Sequence, residues 1–242
     1  MTEWGKDRGM VAKKQKDTYI VMGCGYFGLR AVKGLKSLPT RPLVIAVDHD
    51  RERLEELTFL ADQVHHGDGI KYLLGLTGPE AALYWIVPAL PVHLAHAWLL
   101  SVLNGKGGSC KAEKQPVPLD FKPAGELKQH RTPDGTLYCS FGDFTCPADC
   151  PEPKENCYIT DQLRPAPLYQ ILGDTPCTGY RSLVVQSQLV LPGVGGYPFN
   201  DLLMLHAALA ISGGRYLLST ACTCHGVTNA ISISVAGKEV LI

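Results

Sequence analysis

The 242-residue chain balances 23 basic against 23 acidic side chains, for a formal net charge of zero. That balance offers no basic face to nucleic acid or to an anionic membrane surface, so neither partner is expected. The length suffices for one large domain or two small ones with a sizeable core.

The first 17 residues, MTEWGKDRGMVAKKQKD, are polar and have no apolar h-region. They read as a flexible arm rather than a signal peptide, and a cytoplasmic location is expected. Residues 18–103 then alternate strand and helix patterns. Strands are expected at 18–23, 43–48, 63–66 and 82–87, and helices at 26–38, 51–60, 69–76 and 91–103. The first helix puts Phe27, Ala31, Leu35 and Leu38 on one face, as a helix covering a sheet requires. Asp50 is placed to cap the second. Such alternation implies a parallel sheet with right-handed crossovers. Ala81 to Leu103 carries no formal charge over 23 residues. Pro88 and Pro91 divide it, and His93 and His96 follow, so it reads as a buried strand, a turn and a helix rather than a membrane span. No membrane insertion is expected.

The character changes after Leu103. Residues 104–180 are rich in Gly, Pro, Cys and charge, with little periodicity. Regular structure is expected again in a strand at 182–191, a glycine loop at 192–197, a helix at 199–211 and strands at 216–221 and 230–235. The expected architecture is α/β: a doubly wound, mostly parallel, Rossmann-like sheet over 18–242, with a Cys-rich, largely irregular insertion at 104–180 and the arm at 1–17.

Between the first two strands lies Gly23-Cys24-Gly25-Tyr26-Phe27-Gly28, a G-x-G-x-x-G loop opening a helix, and Asp48 closes the second strand. In this setting Gly23 permits a tight turn, Gly25 leaves the backbone open to a pyrophosphate, and Gly28 lets the helix approach the sheet. The helix N-terminus offers free N–H groups to phosphate. Asp48 is placed to accept from ribose hydroxyls, favouring NAD(H) over NADP(H), while Arg51 and Arg53 work against that preference. Tyr26 and Phe27 in the loop, and His49 after Asp48, complete the expected dinucleotide site.

Cys139, Cys146, Cys150 and Cys157 fall within nineteen residues. Four thiols so spaced can converge on a metal, and an ion would order the insertion; zinc is expected, with an iron–sulfur cluster as the alternative. A second group, Cys222-Thr223-Cys224-His225, follows a predicted strand. It could line the nicotinamide side, lend ligands to the metal, or simply pack. His93 and His96 are read as a solvated helix face. Gly193 to Gly196 reads as a turn that could also seat an anion.

YIVMGCGYFG, VIAVDHDRERLEEL and the HHGDG that ends the third strand resemble the nucleotide-binding domain of the regulator-of-potassium-conductance (RCK, TrkA-N) family. That resemblance implies NAD(H) or a related nucleotide bound at Gly23, Gly25, Gly28 and Asp48, with Gly67 and Asp68 near adenine. Pro91, His93 and Glu113-Lys114-Gln115-Pro116 are more loosely similar to Gfo/Idh/MocA oxidoreductases. Two functions follow as expectations: a sensor whose dinucleotide is read by a partner, such as a membrane transporter or a second copy of the chain, or an NAD-dependent oxidoreductase using the thiol-rich half.

Overall fold

The computed structural model describes residues 17–105, 110–153 and 155–236. The expected arm at 1–17 lies outside them apart from Asp17. In chain order the first half contains β1 (Thr18–Met22), α1 (Tyr26–Ser37), β2 (Leu43–Asp48), α2 (Arg51–Glu55), β3 (Gln63–His66), α3 (Gly69–Gly75), β4 (Tyr84–Pro88) and α4 (Leu94–Leu103). The second half adds β5 (Cys110–Gln115), β6 (Lys128–Arg131), β7 (Leu137–Ser140), α5 (Leu168–Asp174), β8 (Arg181–Gln186), β9 (Gln188–Leu191), β10 (Val194–Pro198), α6 (Phe199–Ser212), β11 (Gly214–Ala221) and β12 (His225–Val235).

Two six-stranded sheets result. The first runs β3-β2-β1-β4-β10-β9. Its first four strands are parallel, in the order of a Rossmann half, and β10 and β9 extend it antiparallel beyond β4. Local chemistry accounts for these elements. β1 is almost wholly buried, as a central parallel strand must be. α1 turns Gly28, Ala31, Val32 and Leu35 inward. The carboxylate of Asp50 accepts from the N–H groups of Glu52 and Arg53 and starts α2; that of Asp68 accepts from Lys71 N and starts α3. α2 stops at Glu55, short of the expected residue 60, and the chain continues in tight turns such as Leu60 N to Leu57 O at 2.9 Å.

The second sheet runs β6-β7-β12-β11-β8, with β5 also on β12. β12 is long enough for two strands to share one of its edges: β7 pairs with His225–Thr228 and β5 with Ala230–Val235. This corrects the expected single sheet with an irregular insertion. Residues 110–186 supply β5, β6, β7 and β8, and β11 and β12 belong to this sheet, not to the doubly wound one. Glu113 to Gln115, compared above with an oxidoreductase turn, lies within β5.

α4 and α6 pack between the sheets. Their cluster joins Ile20 and Ile86 of the first sheet to Leu218, Ile231 and Ile233 of the second, with the rings of Trp98 and Phe199 edge to face at 5.3 Å. Each such aliphatic side chain contributes roughly 1.5–3 kcal/mol on burial. The expected strand 182–191 breaks at Ser187: β8 ends in the second sheet and β9 begins in the first. That crossover carries the Gly193 turn to the carboxyl edge of β4, where the candidate site lies.

Candidate nucleotide cleft and thiol pocket

Gly23 and Ala89 close the ends of β1 and β4: Gly23 N donates to Val47 O at 2.8 Å, and Ala89 N to Met22 O at 2.8 Å. Gly23 has φ 93°, and a Cβ there would stand 2.7 Å from Ala89 O. A Cβ on Gly28 would stand 1.8 Å from Gly23 O, so only glycine allows α1 to start this close to the sheet. Gly25 differs. It is the N-cap of α1 with φ −67° and no side-chain cap, and the nearest atom to a Cβ there is Nη1 of Arg53 at 3.6 Å. The helix start is therefore open, with a guanidinium beside it.

Asp48 is 3 % exposed. One carboxylate oxygen accepts from Cys24 N at 2.5 Å and the other from Asp50 N at 2.8 Å, with Nδ1 of His49 at 3.2 Å. The carboxylate thus fixes the glycine loop to the end of β2, a role the sequence reading missed. Gly67 N donates to Asp48 O, bringing Gly67 and Asp68 beside it, while Nε2 of His66 lies 3.0 Å from His49 O. Tyr26 is 75 % exposed and Phe27 is half exposed. The guanidinium of Arg30 sits over the Phe27 ring at 5.5 Å and donates through Nη2 to Gly193 O, tying α1 to the turn between β9 and β10. Its Nε is buried without a hydrogen-bond partner. Phe27, Arg30, Pro88 to Pro91 and Gly193 to Gly195 enclose a cleft of about 410 Å³.

That cleft shares Pro88 and Gly193 to Gly195 with a second cavity of about 390 Å³, lined also by Cys146, Cys150, Glu152, Cys222, Cys224 and His225. Here the two cysteine groups meet. The loop after β7 docks on the turn between β11 and β12, where Phe141 N donates to Cys224 O and Thr223 N to Oε1 of Glu152 at 2.6 Å, and on the turn between β9 and β10, where Gly193 N donates to Cys150 O. Glu152 holds a left-handed φ of 51° to make its contact. His225 lies between two thiols, with Nε2 at 3.7 Å from Cys146 Sγ and Nδ1 at 3.9 Å from Cys222 Sγ. Burial pushes Cys222 and Cys224 up to about 12 and lowers His225. At Cys157 burial is outweighed by hydrogen bonds from Thr160 and the Ile159 backbone, and its pKa is lowered.

Cys139 does not join this group. It points from β7 into the core with Val117, Phe121 and Leu137, and burial raises its pKa to about 11. Strand alternation is the reason, since Leu137 and Cys139 share one face and Tyr138 the other. All nine cysteines are free thiols. Among the described residues, no three His, Cys, Asp or Glu side chains converge so that one ion could bind them all, and the expected four-cysteine zinc site is not formed.

The histidines of α4 correct a further expectation. His93 and His96 are buried, not solvated. Nδ1 of His93 lies 3.0 Å from Oδ1 of Asn229 and Nε2 lies 2.9 Å from Oγ1 of Thr220, so α4 is pinned to both long strands of the second sheet. Burial, then the neighbouring His96, lowers the His93 pKa to about 3; burial, then Lys114, lowers His96 to about 4. No sequence signal marks Asn229 or Thr220 as their partners.

These features define a two-sheet protein built on a Rossmann nucleotide-binding half. Residues 19–75 match the TrkA-N domain, so the first half is an RCK/TrkA-N-like domain. Residues 95–234, more than half of the chain, match the family AF_1314_C, described as "Uncharacterized protein, C-terminal domain", and the chain belongs to that family. No curated protein and no solved structure matches it. Among the described residues no helix is long and apolar enough to cross a membrane.

Proposed function

We propose that the chain is an NAD(H)-binding regulatory protein in which the dinucleotide spans from the first sheet towards the second. The pyrophosphate rests on the open start of α1 at Gly25 to Gly28, beside Arg53. The adenosine end lies against Asp48, His49, Gly67 and Asp68. The nicotinamide end enters the cleft between Phe27, Arg30 and the Gly193 turn. The observation that carries this reading is the uncapped N-terminus at Gly25, open on its outer side and flanked by a guanidinium, a ready site for an anion. Because Arg30 links α1 to the Gly193 turn, and Gly193 N in turn donates to Cys150 O in the loop after β7, occupancy would alter how the two sheets meet, and a membrane transporter or a second copy of the chain would read that change. Titration calorimetry with NADH, NAD⁺ and NADPH tests it. Saturable binding of NADH is expected, and Gly25→Leu should abolish it at a stability cost of no more than about 1 kcal/mol, since Gly25 is an N-cap with ordinary φ and free space. Absence of binding by any of the three would end the proposal.

A second reading, an NAD-dependent oxidoreductase, is favoured by the junction of the cleft with the thiol pocket through Pro88 and the Gly193 turn. Steady consumption of NADH with a candidate electron acceptor would select it over sensing.

A further inference from the structure

We infer that Cys146, Cys150, Cys157 and Cys224 hold an iron–sulfur cluster at the edge of the thiol pocket. Independently of any dinucleotide, the docking of the 141–164 loop on the turn between β11 and β12 gathers thiols from two distant stretches of chain. Arg164 holds the loop in shape, donating through Nη2 to the carbonyls of Pro153 and Asn156 while its own N–H donates to Glu155 O.

Cys146 is the hub. Cys146, Cys150 and Cys224 line one cavity, and the Cys146 thiol is within hydrogen-bonding reach of Cys150, with Cys157 close by. His225 Nε2 stands 3.7 Å from the hub sulfur. A single tetrahedral zinc would need its ligands about 2.3 Å from one point, and no three of these groups meet at one point. A cluster has the opposite requirement: each thiolate binds a different iron, so the sulfurs stand apart around an occupied volume. The cavity of about 390 Å³ beside them is lined largely by apolar residues, including Pro88, Leu189, Val194, Ala221 and Val227, and can admit such a body.

Of the sulfurs outside this set, Cys222, Cys139 and Cys177 fit other roles. Cys222 accepts the N–H groups of Cys224 and His225, both at 3.4 Å, and so shapes the turn that presents Cys224. Cys157 accepts from Thr160 and from the backbone at Ile159 and Thr160, the kind of donor that steadies a cluster thiolate. Cys139 faces the core, and Cys177 lies apart, with its sulfur 3.6 Å from Oδ1 of Asp120.

The test is made on the full chain, produced with ample iron and purified without oxygen. Iron, acid-labile sulfide and zinc are measured per chain, together with visible absorption and the electron paramagnetic resonance of the dithionite-reduced protein. Roughly four iron and four sulfide per chain are expected, with visible absorption that bleaches on reduction. Cys146→Ser, Cys150→Ser and Cys224→Ser should each lose most of the iron, whereas Cys139→Ala and Cys177→Ser should retain it. Where a buried serine unfolds the chain, Cys157→Ser, on a more open turn, gives the same readout in a folded protein. A colourless protein without iron, a protein carrying zinc alone, or iron retained in Cys224→Ser but lost in Cys139→Ala would overturn the assignment.

Discussion

The two sheets are assembled in different ways. In the first, β1, β2, β3 and β4 follow one another at short intervals, each joined to the next through a helix or turn, and pair in parallel. In the second, β12 takes partners from β7 and β5, about 85 to 125 residues earlier, as well as from its neighbour β11. The first is thus specified by local signals, namely glycines, caps and apolar runs. The second is specified by register between remote segments, and its functional groups come together only when that register is made. The contrast predicts that damage to the first sheet acts through single backbone positions, and damage to the second through buried polar contacts and thiols.

The sharpest break is expected at Gly28. Gly28→Val forces a side chain onto Gly23 O and should cost roughly 3 kcal/mol or more, read by urea unfolding. If it is tolerated, the local account of the first sheet fails. Next comes acid. His93 and His96 stay neutral when folded but take up protons near pH 6.5 once unfolded. Their lowered values mean that stability is full above pH 6.5 and is lost as pH falls from there towards 4, by at most about 1.4 kcal/mol per pH unit for each histidine. Lys114, paired with Asp134 at 2.5 Å, faces the same pair and opposes their protonation. Thermal midpoints between pH 7 and 5 should fall steeply, and His93→Gln with His96→Gln should flatten that slope whatever they cost at neutral pH.

A smaller effect is expected at Asp48. Asp48→Asn replaces an acceptor with a donor opposite Cys24 N or Asp50 N, and should cost about 1–3 kcal/mol while weakening NADH binding. Retained affinity with lost stability would show the carboxylate to be a brace for the glycine loop alone. Least of all, Tyr197→Phe should be neutral or stabilising by up to about 1 kcal/mol, since the hydroxyl is fully buried without a partner.

The uneven legibility of the sequence follows from the same contrast. β1 to β4 and α1 to α4 fall close to their expected positions because Gly23, Gly28, Asp50 and Asp68 act on residues within a few positions. β5, β6 and β7 escaped because they are short and polar on their outer faces, as in CKAEKQ and KQHR, and exist as strands only because β12 pairs β5 and β7, and β7 in turn pairs β6. Grouping four cysteines by nearness in sequence brought in Cys139, which strand alternation turns inward, and left out Cys224, which arrives from across the chain. The burial of His93 was hidden because Thr220 and Asn229 lie more than a hundred residues away.

The crossover at Ser187 decides where this protein can be divided. β9 and β10 complete the first sheet with residues drawn from the far side of the second, and Tyr197 and Pro198 pair with β4 along what would otherwise be a bare edge. A fragment ending near residue 105 would keep the glycine loop but expose that edge and the inner side of α4, and should aggregate or swap strands between copies. The matched stretch beginning at residue 95 likewise opens within α4. The two halves are therefore best regarded as one inheritance unit, to be transplanted, labelled or expressed together.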